Sequence, residues 1–168
     1  LDNILRGTDA GTWEWNVQTD EMQINERFAE IIGYSVAELM PLTPTTWASR
    51  SHPDDVAPAF ALLQKHFDKQ IPYYEYEYRM RHRDGHWVWV LDRGRVSTWT
   101  PEGGAEWIRG THQDITTSKE AQRRLAARGN AEQERSSRRR AGHARSENRR
   151  HRRRGGRSDG DGCLERRL

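Results

Sequence analysis

The chain has 168 residues, of which 33% are hydrophobic and 32% charged, with a net charge of +3. That length holds one domain of ordinary size with residues to spare. The longest apolar run, WVWVL at 87–91, falls far short of the roughly 18 residues a membrane span needs, and the single cysteine, Cys163, permits no intrachain disulfide. A span within these residues and a disulfide scaffold are thereby excluded, and a reducing, cytoplasmic setting is expected. All seven Trp, five Tyr, three Phe and six Pro lie at or before Trp107. Residues 1–122 hold 12 Lys/Arg against 19 Asp/Glu, whereas 123–168 hold 16 against 6. These contrasts divide the chain into a folded domain over 1–122, a short helix over 115–128 and an Arg-rich stretch over 129–168. Because the chain opens on Leu1 rather than Met, it reads as a piece of a longer protein.

Two short runs, 12–16 and 21–25, flank the polar turn Gln18-Thr19-Asp20 and predict a hairpin with Trp13 and Trp15 on one face. The period then changes. Phe28, Ile31 and Ile32 stand at helical spacing, with Asn25 as N-cap and Gly33 as the stop, and SVAEL at 35–39 predicts a second short helix. Val56, Phe60, Leu63 and Phe67 form one face of a third, started by Pro53 and by Asp54 and Asp55 at the positive end of its dipole. This start accounts for HPDD at 52–55 by capping, so no metal site is expected there.

After Pro72 the period is two. Tyr74, Tyr76, Tyr78 and Met80 alternate with Glu75, Glu77, Arg79 and Arg81, the pattern of a strand with one packed and one wet face. Asp84-Gly85 marks a hairpin turn, and WVWVL continues as a strand that is apolar on both faces. A last strand runs over 106–115, and Thr117 with Glu120 forms a T-x-x-E capping box for the helix that follows. The order β-β-α-α-α-β-β-β is that of an α+β fold with an antiparallel sheet and its helices on one face. No Ser/His/Asp order, phosphate loop, CxxC pair or HExxH occurs.

Taken together, GTWEWNVQTDEMQINERFAEIIGY, HPDD, EYEYRMRHRDGHWVWVLDRGRV and GTHQDITTSKEAQRRL, over about residues 8–125, resemble a PAS domain with its C-terminal PAC half, of the subtype found in bacterial and archaeal sensor proteins. The resemblance implies a five-stranded antiparallel sheet with helices on one face, enclosing a pocket for a small ligand or cofactor. It also implies that an Asp-Ile-Thr motif, here Asp114, Ile115 and Thr116, passes the signal with Thr117 and Glu120 into a helix. That helix would drive a histidine kinase, a diguanylate cyclase or a similar output domain, any catalysis residing there. Phe28, Ile31, Trp47, Phe60, Leu63, Tyr78 and Trp89 are the apolar residues expected nearest the pocket.

His66 lies on the helix that carries the iron ligand in haem-binding members, yet it sits roughly 90° from the centre of the apolar face at 100° per residue. A boundary or surface histidine without haem is expected. Cysteine-linked flavin is excluded, because no cysteine lies within the fold. The apolar run 87–91 predicts a weak homodimer through the outer face of the sheet, unless the segment around Ile4 and Leu5 covers it. The stretch from 129 is rich in Arg, Ser and Gly and lacks an apolar period, so it is expected to be disordered. Loss of the native reading frame near Leu125 would account for the same composition. A second function class follows from the same arginines, a nucleic-acid or polyanion arm on a PAS scaffold, although no aromatic residue stands there to stack on bases.

Overall fold

The computed structural model describes the backbone of residues 9–155 and the side chains of 9–138 and 140. Ile4, Leu5 and the last 13 residues of the Arg-rich stretch lie outside the described residues. Strands β1 (Gly11–Asn16), β2 (Met22–Ile24), β3 (Tyr74–Arg81), β4 (Trp87–Trp99) and β5 (Ala105–Asp114) form one sheet in the order β2-β1-β5-β4-β3. Every pairing is antiparallel. Between β2 and β3 lie helices α1 (Glu26–Ile31), α2 (Val36–Leu39), α3 (Pro44–Arg50) and α4 (Pro53–Phe67).

Local chemistry explains the starts. The Asn25 side chain accepts the Phe28 N–H and caps α1, as expected. Helix α3, which the sequence reading leaves within a loop, is set by a Thr43–Thr46 capping box with Pro44 in its first turn. The period-two reading of β3 holds: Tyr74, Tyr78 and Met80 are buried, while Glu75, Glu77 and Arg81 are exposed.

Two features of α4 differ from expectation. Its buried residues are Asp55, Ala59, Leu63 and His66, so the inward face is turned by about one residue from the Val56/Phe60/Leu63/Phe67 stripe, and Phe60 is 38% exposed. The turn is fixed by two polar anchors. Asp55 Oδ2 accepts the Arg79 backbone N–H at 3.0 Å and Nε–H at 2.8 Å, and Oδ1 accepts Nη2–H at 2.8 Å. His66 is buried rather than at the boundary: Nδ1 lies 3.0 Å from the Ile71 carbonyl oxygen, and Nε2 accepts the Val96 N–H at 3.0 Å. With its proton on Nδ1, the imidazole satisfies two backbone groups, one in the loop after α4 and one in β4.

The Asp55 anchor has a pH consequence. Hydrogen bonds from Arg79 outweigh burial and hold the Asp55 carboxyl below the usual carboxylate range. The folded state therefore takes up this proton less readily than the unfolded chain. The stabilisation is complete above the unfolded pKa of about 4 and fades as pH falls through the lower folded value. Asp55→Asn is expected to cost about 1–3 kcal/mol at neutral pH and to flatten the acid limb of stability. Urea midpoints measured across the acid range check this, and a variant limb as steep as that of the parent chain would rule it out.

The chain divides into two units after Glu120. Helix α5 spans Thr116–Gly155, so the expected disordered stretch from 129 is helical as far as it is described. Good helix formers (Ala, Arg, Glu, Gln) dominate it, and Glu134 pairs with Arg138 at i,i+4. It nevertheless lacks an apolar seam, and every described side chain from 121 to 138 is exposed.

Candidate sensory cavity and its outlet

A cavity of about 40 Å³ lies between the inner face of the sheet and the helices. That is room for a few waters or a very small molecule. The hydrocarbon wall comes from Phe28 of α1, Met22 of β2, Pro44 and Trp47 of α3, and Phe60 and Leu63 of α4. Of the expected pocket residues, Phe28, Trp47, Phe60 and Leu63 therefore line it. Tyr78 stands behind the wall and holds it through hydrogen bonds, and Ile31 is buried in the core without lining it.

Trp89 is not in the pocket. Strand parity turns Val88 and Val90 inward, which sends Trp87, Trp89 and Leu91 to the outer face. There the Arg79 guanidinium and the Lys119 ammonium lie 5.3 and 5.0 Å from the Trp89 ring centre, and Arg81 lies 5.3 Å from that of Trp87.

The same parity brings Asp92 inward, at 5% exposure, and β5 places His112 beside it at 2%. Asp92 Oδ1 accepts the Trp13 Nε1–H at 2.8 Å. His112 Nε2 lies 3.2 Å from Asp92 Oδ2 and 3.0 Å from the Tyr78 hydroxyl, which accepts the Trp47 Nε1–H at 2.8 Å. Phe28 stacks on His112 with ring centres 4.3 Å apart. One buried chain thus runs from Trp13 through Asp92, His112 and Tyr78 to Trp47, linking β1, β4, β5, β3 and α3.

Glycines make this packing possible. Gly94 and Gly110 face each other across β4 and β5, and Trp13 lies over both. A Cβ on Gly94 would come within 2.7 Å of the indole, and one on Gly110 would fall on the indole and on the Arg93 carbonyl oxygen.

Two polar atoms of the cavity wall, Trp15 Nε1 and Tyr74 Oη, are buried with no hydrogen-bond partner among the protein atoms. Burial, reinforced by the charge of Asp92, pushes the Tyr74 phenol far above its ordinary pKa, so it stays a neutral hydroxyl. Tyr78 is raised by the same causes in the same order. The cavity therefore offers a small guest an indole N–H and a phenol O–H, each otherwise costing about 1–3 kcal/mol to leave unmade.

The outlet is near the start of β4, three residues before Asp92. Trp89 receives the chain as it leaves the sheet: its N–H donates to Thr116 Oγ1 at 3.0 Å, and its carbonyl accepts the Ile115 N–H at 2.9 Å. Asp114 Oδ1 accepts the Thr116 N–H at 2.8 Å. The helix thus begins at Thr116, one residue ahead of the Thr117 cap that the sequence predicts, and Asp114 supplies the side-chain acceptor at its start. Lys119, in the first turn, forms an ion pair with Glu77 of β3. Asp114, Ile115 and Thr116 are brought together with Trp89, while Thr117 and Glu120 lie within the helix. Among the described residues no helix is long and apolar enough to cross a membrane.

The sequence reading missed Trp13, Trp15, Tyr74, Asp92 and His112 as cavity residues. Continuing the inward parity of Val88 and Val90 by two positions would have placed a carboxylate, Asp92, inside the sheet.

Comparison with known proteins accords with this arrangement. The family described as PAS fold matches residues 21–112. A sensory box histidine kinase/response regulator from Burkholderia thailandensis E264 is similar in structure at 30% identity and a TM-score of 0.66, the match covering 77% of this chain and 94% of that one. The N-terminal domain of a diguanylate cyclase with PAS/PAC sensor from Marinobacter aquaeolei is similar at 28% identity and a TM-score of 0.57, over 66% and 98% of the two chains. No curated protein matches the chain. By its strand order, its cavity and these likenesses, the chain belongs to the PAS fold family and carries a sensory domain related to those of histidine kinases and diguanylate cyclases.

Proposed function

We propose that the domain reports the state of its cavity to an output domain through β4 and the start of α5. The observation that carries this reading is that one strand holds both ends of the path. Asp92 faces the cavity, and Trp89, three residues earlier, clamps Ile115 and Thr116 through its own backbone. A guest that takes hydrogen bonds from Trp15 or Tyr74, or disturbs the Asp92–His112 pair, shifts β4, and the clamp passes that shift to the first turn of α5. The output is of the histidine kinase or diguanylate cyclase type, as in the relatives, and the module works in the cytoplasm without catalysis of its own. Haem has no place in the proposal, since both His66 nitrogens are committed to backbone groups. A weak dimer through the outer face of the sheet belongs to it, with Leu91 and Trp107 as contact and the cation-covered indoles of Trp87 and Trp89 at the margin.

Hydrogen exchange on the full chain tests the coupling. Asp92→Asn alters the cavity alone and is expected to speed exchange at the Ile115 and Lys119 amides at least as much as at the Asn25–Ile31 segment. A response confined to the cavity wall would overturn the relay. Native mass spectrometry of protein taken directly from cells tests the guest, a small stoichiometric added mass being the expected result.

A second reading rests on the charge of 123–168 and on its exposure along α5, where Arg128, Arg135 and Arg140 face solvent. Binding to duplex DNA that falls steeply with salt in the full chain and disappears in a 1–125 fragment would support polyanion binding as an added property.

A further inference from the structure

The tip of the β3–β4 hairpin carries RHRDGHW, a motif that the sequence reading explains only as a turn. The His82 N–H donates to the His86 carbonyl at 2.9 Å, so the two histidines face each other across the hairpin with side chains on the same side. Their rings stack at 4.3 Å. Asp84 lies between them, its N–H donating to His82 Nδ1 at 3.1 Å, which brings its Oδ2 to 3.4 Å from that nitrogen. One donor atom from each of the three side chains lies within 4.8 Å of the others. Gly33 (φ +81°) makes room, since a Cβ there would stand 2.5 Å from His82 Nε2 and displace the ring.

We propose that His82, Asp84 and His86 form a binding site for a late first-row divalent cation, Zn²⁺ being the type case. Two imidazoles and one carboxylate are the donor set such ions favour, and three protein ligands leave an open position for water. A tetrahedral ion with bonds of about 2.1 Å holds its ligand atoms roughly 3.4 Å apart, the separation already present between His82 and Asp84. His86 is exposed, so its ring turns in without disturbing the core, and the metal replaces the hydrogen bond that Asp84 N–H makes to His82. The neighbouring cations do not occupy the site: Arg83 is engaged by Glu38 and by the Tyr34 ring, and Arg81 lies over Trp87. Because the Arg83 N–H also donates to the Ile32 carbonyl at 3.0 Å, an ion here would fasten the hairpin where it meets the end of α1.

The test uses the full chain with His143, His151 and Cys163 replaced to silence other ligands, stripped with chelator and titrated with ZnCl₂ by calorimetry and with CoCl₂ by visible absorption. Asp84→Asn keeps the Asn-Gly turn chemistry while removing the charge, and His86→Ala removes an exposed ligand, so neither endangers the fold. One equivalent of Zn²⁺ is expected, with Co²⁺ giving the absorption of a low-coordinate nitrogen/oxygen site. Each substitution should weaken binding by about tenfold or more and reduce the metal-dependent rise in melting temperature accordingly. Failure of the parent chain to bind a stoichiometric ion, or equal affinity in both variants, would overturn the site.

Discussion

Gly110→Ala is expected to be among the most damaging single-atom-group additions in the domain, lowering stability by about 3 kcal/mol or more, at or beyond the upper end of ordinary overpacking. The added methyl would meet the Arg93 carbonyl oxygen as well as the Trp13 indole. A side chain escapes a clash by changing rotamer, but a carbonyl in a sheet ladder moves only if β4 and β5 separate. Their pairing at Gly94↔Gly110 is the middle of the longest ladder in the fold. Lifting Trp13 also draws Nε1 away from Asp92, so the substitution costs packing and a buried hydrogen bond together. Against a typical net stability of 5–15 kcal/mol, about 3 is a large share. Gly103→Ala is the control: nothing lies within 4 Å, and only the positive φ of +87° is strained, for about 1 kcal/mol. Urea unfolding followed by tryptophan fluorescence separates the two. A Gly110→Ala midpoint within experimental error of the parent would mean that Trp13 does not rest on the glycine pair.

Much of this fold is written in local pattern. The tyrosine alternation of β3, the Asn25 cap and the Asp84-Gly85 turn each depend on neighbours within a few residues, and each appears where the sequence places it. What stayed hidden depends on distant partners. Asp55 and His66 look like solvent residues on a helical wheel, because the groups that make their burial tolerable, Arg79 and the Val96 N–H, lie 24 and 30 residues away. Once they are inside, the helix turns and Phe60 moves towards solvent. Trp89 is expected nearest the pocket as an apolar residue of its strand, but parity with Val88 and Val90 turns it to the outer face. The run of α5 past residue 128 follows from propensity without packing, which an argument built on burial misses.

The candidate site illustrates the same distance effect most sharply, since Trp13 and Asp92 stand 79 residues apart and neither is informative without the other. Asp92→Ala is expected to cost about 3–5 kcal/mol, because the buried Trp13 indole N–H loses its acceptor and the buried His112 and Tyr78 lose the carboxylate beside them at once. Asp92→Asn should cost less. Its amide oxygen still accepts from Trp13, and only the contacts of the second oxygen, to His112 and to the Tyr78 hydroxyl, are altered. The separation between the two variants measures the Trp13 bond, and a double-mutant cycle isolates it. Trp13→Phe removes the N–H while keeping most of the ring, so the pair Trp13→Phe and Asp92→Ala should be non-additive by about 1 kcal/mol or more, the double variant losing less than the sum of the singles. If the two losses simply added, the indole and the carboxylate would not be coupled. The cavity would then be a packing feature, and the path from Asp92 along β4 to Trp89 and Thr116 would lose its starting point.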